Sequence, residues 1–367
     1  MSSAAFCPLT VSHVTPETNS AVRVGFAVPS ELKGMFQFSS GQYLTLRASI
    51  DGDLVSRSYS ICVPAGSDFL EVAVKRVEGG VFSNYVNDQL VAGVELEVMP
   101  PQGNFCLDLN SEGKRNYLFI AAGSGITPMM GLMQSVLSEE PDSTVTLIYG
   151  NQRTATIMFR QKLAFMKNKY MARFQWINIL SREQQESPLL NGRIDNKKGA
   201  QLHQSLLDLN RFDRFMLCGP ESMISEVSRG LTGLGIDEAV ILYELFGSSA
   251  EDAETRVAKH HARSQSHAEL LAKVTMISDG RSNTVDVAAA GENLLDAGLN
   301  VGLDLPYACK GGVCSTCKAL LVEGEVEMDI QRGLAEEEIR SGMILTCQAH
   351  PLSGRVVVDF DKRWAGN

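Results

Sequence analysis

Four cysteines restrict what the C-terminal part of this chain can fold into more than any other feature. Cys309, Cys314 and Cys317 lie together in YACKGGVCSTCK, and Cys347 stands apart in LTCQAH. A C-x4-C-x2-C run with a remote fourth thiol needs a loop bent round one centre and a later segment brought back to it. The other cysteines, Cys7, Cys62, Cys106 and Cys218, are scattered singly. Grouped thiols of this kind in a reducing compartment read as metal ligands rather than a disulfide framework. Zinc sites usually carry C-x2-C pairs in both halves, whereas here only Cys314 and Cys317 form one; reduced core thiols are the other alternative. Gly311 and Gly312 suit a loop that needs unusual backbone angles and amides turned towards sulfur.

The spacing resembles the plant-type [2Fe–2S] ligand set, which implies Cys309, Cys314, Cys317 and Cys347 as the iron ligands. Around them, Val274 to Ile277 and Asn283 to Val287 suggest a hairpin, and RVVVDF a closing strand, so residues 272–367 are expected to form a compact α+β unit of the β-grasp type. Over residues 272–361 there are 14 Asp and Glu against 7 Lys and Arg. That excess suits a basic docking partner, although solvated acids such as Glu336 to Glu338 account for part of it.

At 367 residues the chain is too long for one core, and domains of about 100 to 150 residues make three the natural count. Residues 1–110 carry short β-branched runs broken by Gly, Pro and Asp (Val22 to Val28, Tyr43 to Leu46, Ser58 to Val63, Leu70 to Arg76, Glu95 to Met99), the pattern of a small antiparallel barrel. Residues 111–246 alternate buried strands such as YLFIAAG and VTLIYGN with helical stretches from about Pro128 and Phe159, which predicts a parallel sheet covered on both faces. Residues 247–271 are polar and charged, a solvated linker with enough Ala for a short helix. The fold class is therefore multidomain: a β-barrel, an α/β parallel sheet and an α+β unit.

In the barrel segment, Arg57-Ser58-Tyr59-Ser60 offers a planar donor fork, an aromatic face and a small hydroxyl in succession. Four residues alone are equally those of an ordinary strand. They resemble the R-x-Y-S signature of the ferredoxin-NADP reductase superfamily, and Val72 to Lys75 followed by Gly79-Gly80-Val81-Phe82-Ser83 resembles that family's second flavin segment. The resemblance implies FAD held by Arg57, Tyr59, Ser60, Val74, Gly80, Val81 and Ser83, with helix-start amides facing a phosphate. Pro101-Gln102-Gly103-Asn104-Phe105 closes the barrel.

The α/β segment opens with Gly123-Ser124-Gly125-Ile126-Thr127-Pro128, a Gly-rich turn into a helix, where a dinucleotide pyrophosphate is readily held. It lacks the full G-x-G-x-x-G, but G-x-G-x-T-P is the form expected in this superfamily. Cys218 and Gly219 end a later strand at the carboxyl edge of the sheet; in the family this Cys lies near the nicotinamide, while its bland reading is a buried small hydrophobe. Tyr243-Glu244-Leu245-Phe246 resembles the E-x-F end of related reductases, implying Phe246 near the flavin and Glu244 as a proton relay, with Ser60 and Cys218 as the other catalytic candidates. Ser181 and Arg182 follow the strand FQWINIL, where NADPH-using relatives set a Ser-Arg pair against the 2′-phosphate; Glu183 comes after the basic residue, so NADPH is expected over NADH.

The domain order then reads as wiring. A hydride carries two electrons and a [2Fe–2S] cluster takes one, so a flavin between them performs the conversion. Over nearly the whole chain, VAVKRVEGGVFSNYVND, LEVMPPQGNF, LPYACKGGVCSTCK and LTCQAHPL look most like the reductase subunits of multicomponent phenylacetyl-CoA epoxidases, implying a di-iron oxygenase as acceptor. Ser315 and Ala319 stand where relatives often carry extra cysteines. A reductase for another hydroxylase or a fatty-acyl desaturase shares the build, and a non-catalytic iron–sulfur carrier or redox sensor is the rival of another class. The net charge of -10 argues against a nucleic-acid partner. Without a signal segment or a membrane-length apolar run, a cytoplasmic protein is expected.

Overall fold

Short β-branched runs build the first sheet. In the computed structural model, which describes residues 6–247 and 250–362, it comprises β1 (Cys7–Thr18), β2 (Ala21–Ala27), β3 (Tyr43–Ile50), β4 (Asp53–Ser60), β5 (Leu70–Lys75) and β6 (Glu95–Val98), with α1 (Val81–Asp88) between the last two. Strand order is β4-β3-β6-β1-β2-β5. An antiparallel bridge between Ile61 and Val72, and a 3.0 Å bond from the Cys62 N–H to the Glu71 carbonyl, join the two edges and close the barrel. Strand β1 is absent from the sequence expectation because Pro8, Pro16 and its polar residues hide it. The ladder shifts register between Pro16 and Thr18, and irregular ladder positions are where proline is tolerated.

The second sheet follows the expected alternation: β7 (Asn116–Ala122), α2 (Ile126–Glu139), β8 (Thr144–Asn151), α3 (Arg160–Lys169), β9 (Phe174–Leu180), α4 (Asn196–Ser205), β10 (Arg214–Cys218), α5 (Glu221–Gly233) and β11 (Ile241–Glu244). The strands are parallel in the order β11-β10-β7-β8-β9. One face is packed by Met129, Met133 and Leu163 from α2 and α3, and the other by Leu202, Val227 and Leu231 from α4 and α5. Helix α2 also presses on the barrel: a methyl group on Gly131 would stand 2.7 Å from the Val63 carbonyl oxygen. That approach needs a residue without a side chain.

The molecule divides into two compact units, one holding Pro8–Leu54 and Tyr59–Leu245, the other running from Phe246 onward with Val55–Ser58. The second unit begins with α6 (Ala250–Ser266) and continues through β12 (Leu271–Ser278), β13 (Arg281–Ala288), α7 (Leu294–Asn300), β14 (Lys318–Glu323), β15 (Val326–Met328), α8 (Glu336–Arg340), β16 (Met343–Leu345), β17 (Ala349–Pro351) and β18 (Arg355–Asp359). A mixed sheet runs β13-β12-β18-β14-β16, with a β15-β17 ribbon beside it. The β12–β13 hairpin turns at Asp279 and Gly280, with φ of 51° and 70°, the paired left-handed angles of a tight hairpin turn.

The stretch expected as a solvated linker is thus largely a helix, and one face of it is docked. Lys259 Nζ donates to the Met328 carbonyl at 2.7 Å, Arg263 Nη1 reaches Asp329 at 2.5 Å and Glu327 at 2.6 Å, and Arg332 meets Asp252 at 3.0 Å. Asp252, Lys259 and Arg263 recur at helical spacing, so they share a face. Charge rather than an apolar stripe holds this helix, which is why hydropathy did not reveal it.

Candidate functional site

The Arg57-Ser58-Tyr59-Ser60 run ends β4, with Ser60 buried, Ser58 and Tyr59 half-buried and Arg57 exposed. Arg57 Nη1 donates to the Ser56 carbonyl at 2.7 Å. The Tyr59 ring lies 5.9 Å from that of Phe82, so the start of α1 packs against the end of β4. Gly79 has φ of 70°, and Gly80 caps α1 without any side-chain hydrogen bond. The first-turn amides of Val81 and Phe82 are left for an outside acceptor, as helix starts generally are. Ser83 is buried: its hydroxyl accepts from the Val77 N–H at 3.0 Å and donates to the Gly80 carbonyl at 3.4 Å, shaping the turn from within. Val74 is fully buried in β5.

At the carboxyl edge of the parallel sheet, Gly123–Gly125 form a 3-10 turn between β7 and α2. A methyl group on Gly125 would lie 2.1 Å from the Cys218 carbonyl oxygen, and one on Gly219 would lie 3.2 Å from the Ala122 backbone nitrogen. The Gly-rich turn and the Cys218-Gly219 turn therefore meet backbone to backbone, an approach that at Gly125 only glycine permits. Thr127 is buried and donates to the Ser124 carbonyl at 3.0 Å, holding the turn closed, and Pro128 is buried in the first turn of α2. Next to the turn stands a residue to which the sequence motifs assign no role: Lys75 Nζ is 3.4 Å from where a Gly123 methyl would be. Burial holds the Lys75 ammonium below the ordinary lysine range. Its signal in the sequence is the cation ending the apolar run VAVK.

Ser181 and Arg182 follow β9 and are exposed. The Arg182 backbone N–H is fixed to the Gln152 carbonyl at 2.9 Å. Glu183 turns to another partner, accepting from the Thr154 hydroxyl at 2.6 Å and its N–H at 2.8 Å. That carboxylate is thus held on the Thr154 loop.

Strand β11 delivers Glu244 to the barrel signature, where the Ser60 hydroxyl donates to Glu244 Oε2 at 3.4 Å. Burial pushes the Glu244 carboxyl up to about 8, against the lowering effect of that hydrogen bond. Burial, and secondarily the charge of Glu244, raises the Cys218 thiol far above its ordinary value, and the same two causes raise Cys106 to about 11. Both sulfurs are neutral thiols at physiological pH. Cys106 is the second residue of this group that no sequence motif marks. Phe246 is 46% exposed and Tyr243 51% exposed.

The cysteine loop joins α7 to β14. Between Cys309 and Cys317 its left-handed positions are Lys310, Gly312 and Ser315, with φ of 50°, 79° and 46°. Gly312 fits the expectation; the others are Lys310 and Ser315 rather than Gly311. The Gly311 N–H donates to Cys309 Sγ at 3.2 Å, and the Cys309 N–H to Cys314 Sγ at 3.4 Å. A hydrogen bond from Cys314 and the loop amides bring the Cys309 thiol down to about 5 although burial opposes them. Cys317 is raised by its hydrogen bond with Cys347 and by burial. The four thiols thus form two pairs, Cys309 with Cys314 and Cys317 with Cys347. Two thiols per iron is the ligand count of a binuclear cluster. Amides aimed at sulfur stabilise its negative charge. This donor set fits [2Fe–2S].

Three family profiles match in order: an oxidoreductase FAD-binding domain over residues 8–106, an oxidoreductase NAD-binding domain over 119–229, and a 2Fe-2S iron-sulfur cluster binding domain over 276–352. The chain is 44% identical to a subunit of 1,2-phenylacetyl-CoA epoxidase from Escherichia coli K12 over 98% of each protein. It is 32% identical to the ferredoxin reductase component of 3-ketosteroid-9-alpha-monooxygenase of Rhodococcus rhodochrous over 96% of each. Phthalate dioxygenase reductase has the same fold, with a TM-score of 0.57, 19% identity, and 96% of this chain and 98% of that one covered. The chain belongs to the family of oxygenase reductases that join FAD-binding, NAD-binding and [2Fe–2S] domains in one polypeptide, and it is an electron-transfer oxidoreductase of that family.

Proposed function

We propose that this reductase takes hydride from NADPH and delivers single electrons to a di-iron oxygenase of the phenylacetyl-CoA epoxidase type. When bound, FAD supplies two-electron hydride acceptance with one-electron release, and the [2Fe–2S] cluster supplies one-electron transfer. The observation that carries the reading is the convergence of Ser60, Glu244 and Cys218 beside the Gly125 turn, because it sets the flavin signature against the nucleotide edge of the sheet.

Each residue then has a task. Arg57 and the first-turn amides of Val81 and Phe82, with Gly80 leaving them open, hold the flavin phosphates. Tyr59 would offer its aromatic face to the flavin, and Val74 would wall its site. Ser60 would hydrogen-bond the ring of a bound flavin, and the neighbouring Glu244 carboxyl, protonated below about 8, would be the nearby proton store. Gly123, Gly125, Thr127 and Pro128 shape the pyrophosphate turn, with Lys75 as its counter-charge. Cys218 and Gly219 would hold the nicotinamide, and Phe246 would supply an aromatic face to the flavin. Ser181 and Arg182 clasp the 2′-phosphate. Cys309, Cys314, Cys317 and Cys347 ligate the cluster.

Residues 1–110, 111–246 and 272–367 are the three functional segments, with 247–271 joining the last to the rest. Among the described residues no helix is long and apolar enough to cross a membrane, and we place the reaction in the cytoplasm. The identity to the epoxidase protein over 98% of the chain supports an epoxidase partner, and the di-iron centre is what the resemblance to that family implies. The direct test is an absorption spectrum titrated anaerobically with NADPH, with flavin and iron counts. FAD with two-iron stoichiometry and stepwise bleaching is expected; iron without flavin refutes the reading. Reconstitution with the epoxidase oxygenase subunits, against a desaturase as control, tests the partner.

A further inference from the structure

Glu71 sits on β5, inside the segment that bears Val74 and Lys75, yet its carboxylate is 1% exposed and points away from solvent into a charge cluster. His13 Nε2 lies 3.0 Å from it, Arg23 Nη1 2.7 Å and Lys162 Nζ 3.0 Å. Burial pushes the Glu71 carboxyl up, but the hydrogen bonds from His13 and Lys162 and the charges of Lys162 and Arg23 outweigh it, so the net shift is downward and the group stays ionised. Arg23 Nε reaches a second carboxylate, Glu17, at 2.8 Å. Two carboxylates and two fixed cations balance, as buried charges must.

The cluster spans two sheets of one unit. His13, Glu17, Arg23 and Glu71 come from the barrel, and Lys162 comes from α3 of the α/β sheet. Glu17 Oε1 also accepts the Phe159 N–H at 2.7 Å, and Phe159 caps α3 with a left-handed φ of 57°, costly for an aromatic residue. Beside it, the Met158 backbone bonds the hydroxyl of the fully buried Tyr149. That hydroxyl donates to the Gly123 carbonyl at 2.8 Å. A continuous polar path therefore leads from Glu71, through Arg23, Glu17, Phe159–Met158 and Tyr149, to the turn assigned above to the nucleotide.

We infer that this cluster is a latch that sets the Gly123 turn against the flavin-binding strands, so that Glu17 and Lys162 are positioning residues for hydride transfer. The inference rests on the reading of that turn as the nucleotide site. Ion pairs and hydrogen bonds suit the task because they fix direction as well as distance, whereas apolar packing between sheets tolerates sliding. Misplacement of about 1 Å between reacting groups costs on the order of a hundredfold in rate.

The test uses the full-length, FAD- and iron-loaded protein with Lys162→Met, Lys162→Arg and Glu17→Gln. Expected for Lys162→Met is wild-type FAD content, a dissociation constant for NADP+ by calorimetry within about twofold of wild type, and a saturated rate of flavin reduction about tenfold or more lower. Hydrogen exchange at Met158 and Phe159 should quicken, and Lys162→Arg should recover most of the rate. A saturated rate within twofold of wild type, with exchange quickened or thermal stability lowered, overturns the latch and leaves a merely structural cluster. If Lys162→Met yields no folded protein, Glu17→Gln carries the same expectation and the same refutation, because the neutral amide loses the ion pair with Arg23 and accepts the Phe159 N–H more weakly than a carboxylate does. Failure of the nucleotide reading looks different: the wild-type flavin would then be reduced by neither NADPH nor NADH.

Discussion

The Ser60 hydroxyl donates to Glu244 Oε2 across 3.4 Å, tying the end of β4 to the end of β11 over 184 positions of sequence. This bond joins the flavin signature to the last strand of the nucleotide sheet. It also leaves a carboxyl, lifted to about 8, beside the proposed flavin ring.

That carboxyl makes the protein sensitive to pH in a defined direction. A group whose folded value lies near 8, above its ordinary 4.5, stabilises the fold below the lower value and loses that contribution as pH rises to the higher one. Glu244→Gln should remove the effect. The melting temperature of wild type minus that of Glu244→Gln should therefore fall from pH 5 to about 8 and level off above it, and the rate of flavin reduction should lose its inflection near 8. Parallel melting curves across this range would refute the assignment.

In the proposed reading nucleotide choice rests on Arg182, whose backbone is pinned to Gln152 while Glu183 is engaged with Thr154. Arg182→Ala should raise KM for NADPH about tenfold or more and leave KM for NADH nearly unchanged, as loss of one charge-assisted phosphate contact implies. Equal effects on both would sink the proposed 2′-phosphate contact.

Cys317 is buried and hydrogen-bonded with Cys347. Cys317→Ser should abolish reduction of a one-electron protein acceptor, with flavin reduction by NADPH retained. Loss of both activities together with the visible spectrum of the flavin would make the cluster a folding element instead.

Arg263, 2% exposed and bonded to Asp329 and Glu327, is the main fastener of α6. Removing one partner of a buried ion pair costs about 3–5 kcal/mol. Arg263→Met should therefore release α6 to limited trypsin digestion between residues 250 and 266 while the cluster absorbance persists. Unchanged cleavage would mean that Lys259 and Arg332 suffice.

Sequence alone determined the local chemistry. The cysteine spacing, the Gly-rich turns and the R-x-Y-S run are short because each needs only neighbouring backbone angles and a few side chains, so their pattern survives in the linear order. Strand and helix alternation was legible for the same reason: YLFIAAG is apolar on both faces because helices cover both. Strand β1 was not, since its prolines and polar residues are tolerated only by a shifted ladder, and α6 was not, since it docks through Asp252, Lys259 and Arg263 rather than an apolar stripe. Only the tertiary structure decided that Lys75 stands by Gly123, that Cys106 shares the surroundings of Glu244, and that Glu71 reaches Lys162 over 91 positions. Such pairings depend on where the closed barrel and the parallel sheet place their strand ends, and a charge in the sequence carries no mark of the distant partner that will neutralise it once both are buried.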